Sequence, residues 1–320
     1  MSATDKANIL QAGENTWHFH GGIKLPGHKD MSTQKPISRM PSNKRYVVPL
    51  NQHMGAAGEI LVRSGDSVLK GQKLSAPQGL ISATVHSPVS GKVVEIAEHH
   101  FPHPSGLPGI CIVIENDHKD EWVQRKPIAD NYVNSSPHDL RSIIRDAGIV
   151  GLGGATFPSA VKQTEVGIET LILNGVECEP YISCDDMLMR ERADEIVKGA
   201  KIIAYIIKAE KCIIAIEDNK PEAIDAVTTA VTREGSKNIK IQPVPTIYPS
   251  GGERQLIKIV TGKEVPVKGL PSDIHVLVHN VATSYAIYKA VFEDEPLISR
   301  IVTITGRGVN SPQNLEVDIG

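Results

Sequence analysis

Four apolar segments separated by stretches of helical length constrain the fold of this chain more than any other feature. They read TLILN at 170–174, CIIAIED at 212–218, IKIQPVP at 239–245 and VLVHN at 276–280. Between the first two, apolar residues recur at helical spacing from Met189 to Ile207, and Pro221 stands where the next helix would begin. Strands joined by such crossover helices pair in parallel. The sequence therefore predicts an α/β fold built on a parallel, Rossmann-like sheet.

Polar residues follow these predicted strands at their carboxyl ends. The segments concerned are Asn174–Glu179, Glu217–Asn219 and Tyr248–Glu253. In open parallel sheets these ends lie along one edge, where ligands bind. Glu177 and Glu179 would repel a phosphate, but they can accept hydrogen bonds from ribose hydroxyls or ring nitrogens. The pattern indicates a nucleotide site at this edge.

The last predicted strand ends in Asn280 and enters a helix that contains Thr283. Asn280 can hydrogen-bond a ligand there while Thr283 caps the helix. Plain capping without a ligand is the alternative, and both interpretations stay open from these residues alone.

A glycine-rich loop, GLGGATFP at 151–158, precedes the first strand. Glycine permits positive φ angles and close approach of the backbone to a ligand, so the loop can direct successive N–H groups at an anion. A helix beginning at Pro158 would add the positive end of its dipole. The alternative is a tight turn without a ligand, because GLGG lacks the G-x-G-x-x-G spacing of dinucleotide-binding loops.

Composition and motif content exclude several classes of protein. The net charge is −3 and the chain has 4 Phe and 2 Trp, so we expect no nucleic-acid surface. No run reaches the ~18–20 apolar residues that cross a bilayer, and residues 1–16 lack the apolar core of a signal peptide, so we expect a chain that is soluble by itself. The four cysteines, at 111, 178, 184 and 212, lack the spacing of zinc or iron–sulfur sites, which predicts reduced thiols and no metal site.

Residues 46–100 carry short predicted strands separated by Gly-Asp, Lys-Gly and Ser-Gly turns, which indicates a small all-β unit. The pattern resembles the biotinyl/lipoyl barrel-sandwich domain, whose carrier members display a lysine on the hairpin between the two halves. Here that hairpin, residues 75–83, contains no lysine, and Lys73 and Lys92 lie outside its tip. We therefore expect a structural or docking module rather than a biotin or lipoyl carrier.

Two further segments lack sustained periodicity. Residues 17–45 are rich in Gly, Pro and basic residues and predict an extended arm, in which His18, His20 and His28 have no metal-ligand spacing and are interpreted as packing or surface residues. Residues 101–135 predict a connector with one strand at 110–115.

Several motifs identify a family. GLGGATFPSAVK, NGVECEPYISCDD, IEDNKP, YPSGGERQL, GLPSDIHVLVHNVATSYAIY and VTITG occur in the order in which they stand in RnfC, a component of the Rnf electron transport complex that is called RsxC in some bacteria. This sequence resembles that family from HGGIKLPGHK at residue 20 onward. Its central part is similar to the NADH-binding flavoprotein subunit of respiratory complex I. The resemblance implies a domain that binds FMN and oxidises NADH.

The resemblance also implies a set of ligand contacts. The residues implied to bind FMN are Gly153, Gly154, Ala155, Lys162, Asn174, Glu177, Tyr248, Gly251, Gly252, Glu253, Asn280 and Thr283. The residues implied to contact NADH are Phe157, Glu179 and Glu253. Gly153, Gly154 and Ala155 would lie against the flavin ring and ribityl chain. Asn174 and Glu177 would hydrogen-bond the ring edge or the ribityl hydroxyls. Asn280 and Thr283 would hold the phosphate. Lys162 would reach a flavin oxygen or phosphate, and Phe157 would stack on adenine.

Two positions depart from the complex I pattern. Val176 stands where that flavoprotein usually has an aspartate, and Thr156 stands where it usually has a glycine. Neither change removes a phosphate or stacking group, so they put individual contacts in doubt and leave the class of site unchanged.

The implied function is that of one subunit of a membrane-bound complex. Electrons would pass from NADH through FMN to iron–sulfur clusters, linking NADH and ferredoxin to ion translocation, with no catalytic side chain required because the cofactor carries the difficult step. The implied partners are the ferredoxin-like and membrane subunits of the complex, at the cytoplasmic side of the bacterial inner membrane. Family members continue into a domain with two [4Fe–4S] clusters, which we expect to be missing from this chain. A non-enzymatic nucleotide-binding scaffold subunit is the alternative.

The expected domain organisation has five segments. They are an extended N-terminal arm (1–45), a barrel-sandwich hybrid domain (46–100), a connector (101–135), an FMN/NADH-binding α/β domain (136–300) and the start of a β-grasp domain (301–320).

Overall fold

The structure is a computed structural model that describes residues 16–103, 105–164 and 167–320. Its strands are β1 Ser38–Arg39, β2 Arg45–Pro49, β3 Glu59–Ile60, β4 Ser67–Val68, β5 Ser75–Ala76, β6 Gly91–His99, β7 Gly109–Asn116, β8 Thr170–Gly175, β9 Lys211–Glu217, β10 Ile239–Val244, β11 Val276–Asn280, β12 Ser299–Ile304 and β13 Gln313–Asp318. Its α-helices are α1 Pro137–Asp146, α2 Ser159–Lys162, α3 Cys184–Glu191, α4 Ala193–Ile207, α5 Pro221–Arg233, α6 Glu253–Thr261 and α7 Val281–Phe292. Short 3₁₀ helices span Lys29–Met31, Ala129–Asn134 and Pro271–Ile274.

The chain forms two compact units. The first, called the α/β unit below, contains the described residues of 1–38, 165–288 and 301–315. The second, called the barrel unit, contains the described residues of 39–164, 289–300 and 316–320. Within the described ranges, no helix combines the length and the apolar character that a membrane-spanning segment requires.

The α/β unit is organised around a four-stranded sheet of order β10-β9-β8-β11. All three strand pairs are parallel, as the alternation of apolar segments and helices predicts. The central strand β8 is covered on both faces, because Leu171, Ile172 and Leu173 are fully buried. Continuous apolar runs of this kind are typical of parallel strands with helices on either side.

The helices of this unit show one difference from the sequence prediction. The apolar stripe that predicts a single helix to Ile207 is divided between α3 and α4, because Arg192 leaves the helical conformation (φ −131°, ψ 34°). Helix α4 packs unusually close to α7, since a Cβ on Gly199 would come within 2.0 Å of the Ser284 carbonyl oxygen. Pro221 occupies the first turn of α5, where its missing N–H costs nothing.

The barrel unit contains an antiparallel sheet of order β2-β7-β6-β4 and a two-stranded sheet of β3 and β5. Its core includes the buried side chains of Val48, Leu74, Val93, Ile112 and Ile114. The last two belong to β7, which the sequence places in the connector. The structure pairs β7 with both β2 and β6, so the sheet of this unit continues to residue 116.

A separate three-stranded sheet has the order β1-β13-β12. The strands β12 and β13 lie in the segment for which the sequence predicts the start of a β-grasp domain. That assignment stays a prediction.

Candidate functional site

The strand order of the α/β unit reverses between β8 and β11, which makes this position a topological switch point. From β8 the chain moves outward through β9 to β10, and it then returns to place β11 on the other side of β8. In open parallel sheets ligands bind at such a point, in the crevice outside the carboxyl ends of the two strands. Asn174 and Asn280 end these strands and are paired in register. Two of the predicted site residues therefore lie side by side at the switch point.

Asn174 connects the end of β8 to the turn before α6. Its Oδ1 accepts the N–H of Val176 (3.0 Å), and its Nδ2 donates to the carbonyl of Gly251 (2.9 Å). A Cβ on Gly251 would come within 2.9 Å of the Val176 carbonyl oxygen, so a side chain there would push the turn away. The structure thus brings Asn174 and Gly251 together, and the contact of each with a flavin stays a prediction.

Asn280 caps α7 and also contacts α3. Its Oδ1 accepts the N–H of Ala282 (2.8 Å), while its Nδ2 donates to Oδ2 of Asp185 (2.6 Å). Thr283 is fully buried in the first turn of the same helix. The capping interpretation therefore holds for Asn280, and contact of either residue with a phosphate stays a prediction.

Glu177 is a buried carboxylate that caps α3. Its Oε1 accepts the N–H of Asp185 (2.9 Å) and its Oε2 accepts the N–H of Asp186 (3.3 Å). These donors belong to the first turn of α3, where N–H groups lack partners within the helix and the dipole favours a negative charge. Both oxygens of Glu177 therefore have partners within the protein, and its predicted contact with the flavin stays a prediction.

A second buried carboxylate and a buried lysine lie behind Glu177. Lys220 is 1% exposed and Glu217 is 0% exposed, and the lysine Nζ donates to Glu217 Oε2. The same Nζ lies 3.8 Å from Glu177 Oε2. The other oxygen of Glu217 is buried without a hydrogen bond. Charges this deep persist only when they are paired, so Lys220 holds both carboxylates at the strand ends.

Other predicted residues of this edge are exposed. Glu179 follows the end of β8, Tyr248 stands in the turn before α6, and Glu253 begins α6. A ligand could therefore reach the carboxylates of Glu179 and Glu253 and the ring of Tyr248 from solvent. Gly252 lies beside them and forms part of the same turn, with its N–H bonded to the Pro249 carbonyl (2.9 Å).

The N-terminal arm runs along this same edge. Ile23 and Tyr248 exchange two backbone hydrogen bonds of 2.9 Å, and Tyr181 donates its N–H to the carbonyl of Gly27 (2.7 Å). His28 stacks on the Tyr181 ring at a centroid distance of 4.9 Å, which agrees with its predicted packing role. The sequence predicts an arm but not its course, because the residues of this edge that it contacts lie 148 or more positions away in the chain.

Cys184, Glu177 and Asp185 each place one possible ligand atom within 4.8 Å of the others. Burial, and next the charges of Asp185 and Glu177, raise the pKa of the Cys184 thiol well above its ordinary value. The thiol is therefore protonated, and its Sγ donates to Glu177 Oε1 (3.3 Å). We interpret this group as a hydrogen-bonded cluster, because the Glu177 carboxylate already accepts from the thiol and from two N–H groups in the first turn of α3.

The glycine-rich loop belongs to the barrel unit. Gly151 and Phe157 close it through one backbone hydrogen bond (2.9 Å), and the three predicted contact residues at its tip, 153–155, are exposed. Gly154 has φ +113°, and a Cβ there would meet no atom within 4 Å. The helix behind Pro158 is α2, which has only four residues and ends at the partly buried Lys162. The dipole of so short a helix attracts an anion less strongly than the sequence predicts, because only a few peptide units are aligned along its axis.

A barrel motif supports this loop from within the same unit. The N–H of Met54 donates to the carbonyl of Thr156 (3.0 Å), and Thr156 adopts a left-handed conformation (φ +49°) although it is not a glycine. His53 is fixed between the N–H of Ala83, which donates to its Nε2 (3.2 Å), and the carbonyl of Met54, which lies 3.1 Å from its Nδ1. A cavity of about 90 Å³ lies beside the loop. It is lined by Gln52, His53, Thr84, Val85, Gly148, Val150, Leu152, Thr156, Leu297, Arg300 and Ile319.

Comparisons with known proteins agree with both units. Residues 144–289 match the family model of the Nuo51 FMN-binding domain, and residues 17–119 match that of the RnfC barrel sandwich hybrid domain. The C subunit of the ion-translocating oxidoreductase complex of Haemophilus influenzae (strain 86-028NP) is 48% identical over 95% of this chain and 46% of its own length. The protein of the same name from Pseudomonas aeruginosa (strain PAO1) is 48% identical over 94% of this chain and 39% of its own length. A crystal structure of an NAD⁺-reducing [NiFe]-hydrogenase in the H₂-reduced state shares the fold, with a TM-score of 0.50 and 22% identity over 61% of this chain and 40% of that one.

The matched models define the class of the chain: it carries a domain of the Nuo51 FMN-binding type and an RnfC barrel sandwich hybrid domain. The chain spans less than half the length of the relatives it matches. It belongs to the RnfC family, whose curated members are named as the C subunit of the ion-translocating oxidoreductase complex.

Proposed function

We propose that this chain binds FMN and oxidises NADH as part of an Rnf-type complex. The observation that carries the proposal is the reversal of strand order between β8 and β11, within the matched FMN-binding domain, with the exposed carboxylates of Glu179 and Glu253 beyond the strand ends. Switch points of this kind are the usual nucleotide sites of parallel sheets.

The residues present fit a flavin mononucleotide in chemical type. At the tip of the glycine-rich loop, Gly154 leaves open space where any other residue would place a Cβ, so a flat ring could approach the backbone. At the strand edge, the carboxylates of Glu179 and Glu253 can accept hydrogen bonds from hydroxyl or carboxamide groups of NADH. When bound, FMN supplies the chemistry of accepting a hydride and releasing single electrons.

The protein's own residues would position the ligands. Gly153, Gly154 and Ala155 would hold the ring and ribityl chain, with Lys162 toward an oxygen of the flavin, while Phe157 and Glu179 would bind NADH. The buried pair of Lys220 and Glu217 would keep the edge in place. This division requires no side-chain acid or base.

Further steps would involve the rest of the complex. Electrons would leave through [4Fe–4S] clusters of the complex, and their flow between NADH and ferredoxin would drive ion translocation. The chain would associate peripherally with the cytoplasmic side of the inner membrane through its partner subunits.

The absorption spectrum of the purified protein with added FMN, and then with NADH, tests the proposal. We expect uptake of FMN and bleaching of its visible bands by NADH under anaerobic conditions. Gly154→Leu should abolish uptake, because the side chain would fill the flavin's space. Gly65→Leu is the matched control, since Gly65 also has a positive φ (+99°) and open space in the same unit. A protein that takes up no FMN, or a Gly154→Leu variant with full flavin content, would contradict the assignment.

A non-enzymatic scaffold is the second candidate. It is favoured by the side chains of Asn174, Glu177 and Asn280, which already have hydrogen-bond partners within the protein. A protein that binds FMN or NADH but shows no bleaching of the flavin by NADH would support this candidate over the first.

A further inference from the structure

One side chain of the N-terminal arm lies among three carbonyl oxygens of the acidic loop that follows β8. Lys29 Nζ donates to the carbonyls of Glu177 (2.6 Å), Glu179 (3.0 Å) and Ile182. An ammonium group has three N–H donors and no acceptor, so one lysine satisfies all three carbonyls. The loop has left the sheet at this point, and these bonds join the backbone at its two ends, beside the bonds of the Glu177 carboxylate to the start of α3.

The arm is held beside the loop independently of this lysine. The hydroxyls of Ser32 and Ser183 are 2.7 Å apart, and both residues are fully buried. Asn314 donates to the Ser32 carbonyl (3.1 Å) and to the Ser183 hydroxyl (2.9 Å). Lys29 therefore reaches the loop from a backbone that is already fixed.

The surroundings of Lys29 make this contact costly. Burial lowers the pKa of its ammonium group, an effect that the nearby Glu177 carboxylate opposes. Lys220, Glu217 and Asp186 also act on it electrostatically. A partly buried cation adds little net stability to the fold, because the cost of its desolvation offsets its electrostatic attraction to nearby groups. What the contact does provide is a defined shape for a loop without regular secondary structure.

We propose that Lys29 is a positioning residue of the nucleotide site: it holds the loop 177–182, and with it the exposed Glu179, in the shape that receives the ligand. The ligand part of this inference rests on the proposed function, while the effect on the loop does not. A preformed loop lowers the ordering cost of binding, so loss of the ammonium should weaken binding.

Three variants of the purified protein separate this role from general docking of the arm. Lys29→Met keeps the length of the side chain and removes the ammonium. Lys24→Met changes an exposed lysine of the same arm. Ser32→Ala removes the bond to Ser183 but leaves the ammonium in place. Each variant is examined by hydrogen exchange of amides 176–183 without ligand and by fluorescence titration with FMN and with NADH.

We expect Lys29→Met to speed amide exchange in this segment by at least about tenfold and to raise the Kd of at least one ligand by about tenfold, the order for one lost charge-assisted hydrogen bond. Lys24→Met should match the wild type, and Ser32→Ala should change both quantities less than Lys29→Met does. Unchanged exchange in Lys29→Met would overturn the proposal, as would an equal effect of Ser32→Ala or fast exchange with unchanged ligand affinity. If the wild type takes up neither ligand, the proposed function fails, and the exchange data still decide whether Lys29 holds the loop.

Discussion

Lowering the pH from 7 to 5 should destabilise the barrel unit through one buried side chain, His86. The residue is 5% exposed, and its buried Nδ1 has no hydrogen-bond partner among the residues that the structure describes. Burial, reinforced by the positive charge of Lys73, lowers its pKa from 6.5 to about 3, against a smaller opposing effect of a backbone hydrogen bond at Asp146. The folded protein therefore keeps His86 neutral at pH values where the unfolded chain protonates it.

The sign and size of the effect follow from proton linkage. Because the folded pKa lies below the unfolded value, the stabilisation is fully present above pH 6.5 and is lost as the pH falls toward 3. Protonation of the unfolded chain lowers the free energy of unfolding by RT ln(1 + 10^(6.5 − pH)), which is about 2 kcal/mol at pH 5 and about 0.2 kcal/mol at pH 7. The loss of about 2 kcal/mol does not depend on the folded pKa as long as that value stays below about 4.

Urea unfolding at the two pH values measures this loss. The chain has two tryptophans, Trp17 and Trp122, so a Trp17→Phe background leaves Trp122 of the barrel unit as the single tryptophan probe. Other groups titrate as well, and His86→Gln, which cannot take up a proton, isolates the share of His86. His138→Gln is the control, because its side chain is 81% exposed. If His86→Gln loses as much stability as the wild type between pH 7 and 5, the reasoning is refuted.

Three further predictions concern single residues. Lys220→Met should lower the free energy of unfolding by about 3–5 kcal/mol in urea titrations, because it leaves Glu217 buried and unpaired. Arg233→Met, which breaks an exposed ion pair with Asp194, should lower it by less than about 1 kcal/mol. Similar losses in the two variants would contradict the prediction. Thr156→Asn should raise the free energy of unfolding by about 1 kcal/mol in thermal unfolding, because asparagine tolerates the left-handed conformation. Thr156→Val keeps the β-branched side chain and should show no such increase. Glu253→Gln should slow reduction of bound FMN by NADH by about tenfold in stopped-flow measurements with a smaller change in FMN affinity, and equal loss of both would place Glu253 on the flavin.

The sheet could be predicted from the sequence because its signal is local. Each strand is rich in apolar residues, and the observed bounds of β8 and β11 differ from the predicted ones by at most one residue. The strand order could not be predicted, since it depends on which face each crossover covers. The break at Arg192 was missed because the apolar stripe continues at helical spacing on both sides of it.

The proximity of some candidate site residues could be expected for another reason, while their contacts with a ligand stay predictions. Motif positions such as Asn174 and Gly251 came together in space, because the family resemblance already encodes their proximity. The lysines could not be found in this way. Lys220 is only three residues from its partner Glu217, but a lysine in the turn between a strand and a helix is usually exposed, so the sequence did not indicate its burial. Lys29 gave no local signal, because its partners are 148 to 153 positions away.

The charged groups of this edge fall into two sets with different consequences for mutation. Glu177 and Glu217 are buried, and one caps α3 while both face Lys220. Replacing Glu177 would uncap α3, and replacing Glu217 would remove the hydrogen-bonded partner of the buried Lys220. Loss of ligand binding in such a variant would therefore reflect damage to the fold as much as loss of a contact with the ligand. Glu179 and Glu253 are exposed, and their side chains can change at little cost to the fold. The contribution of carboxylates to nucleotide binding must therefore be measured at the exposed pair, where affinity and stability can vary independently.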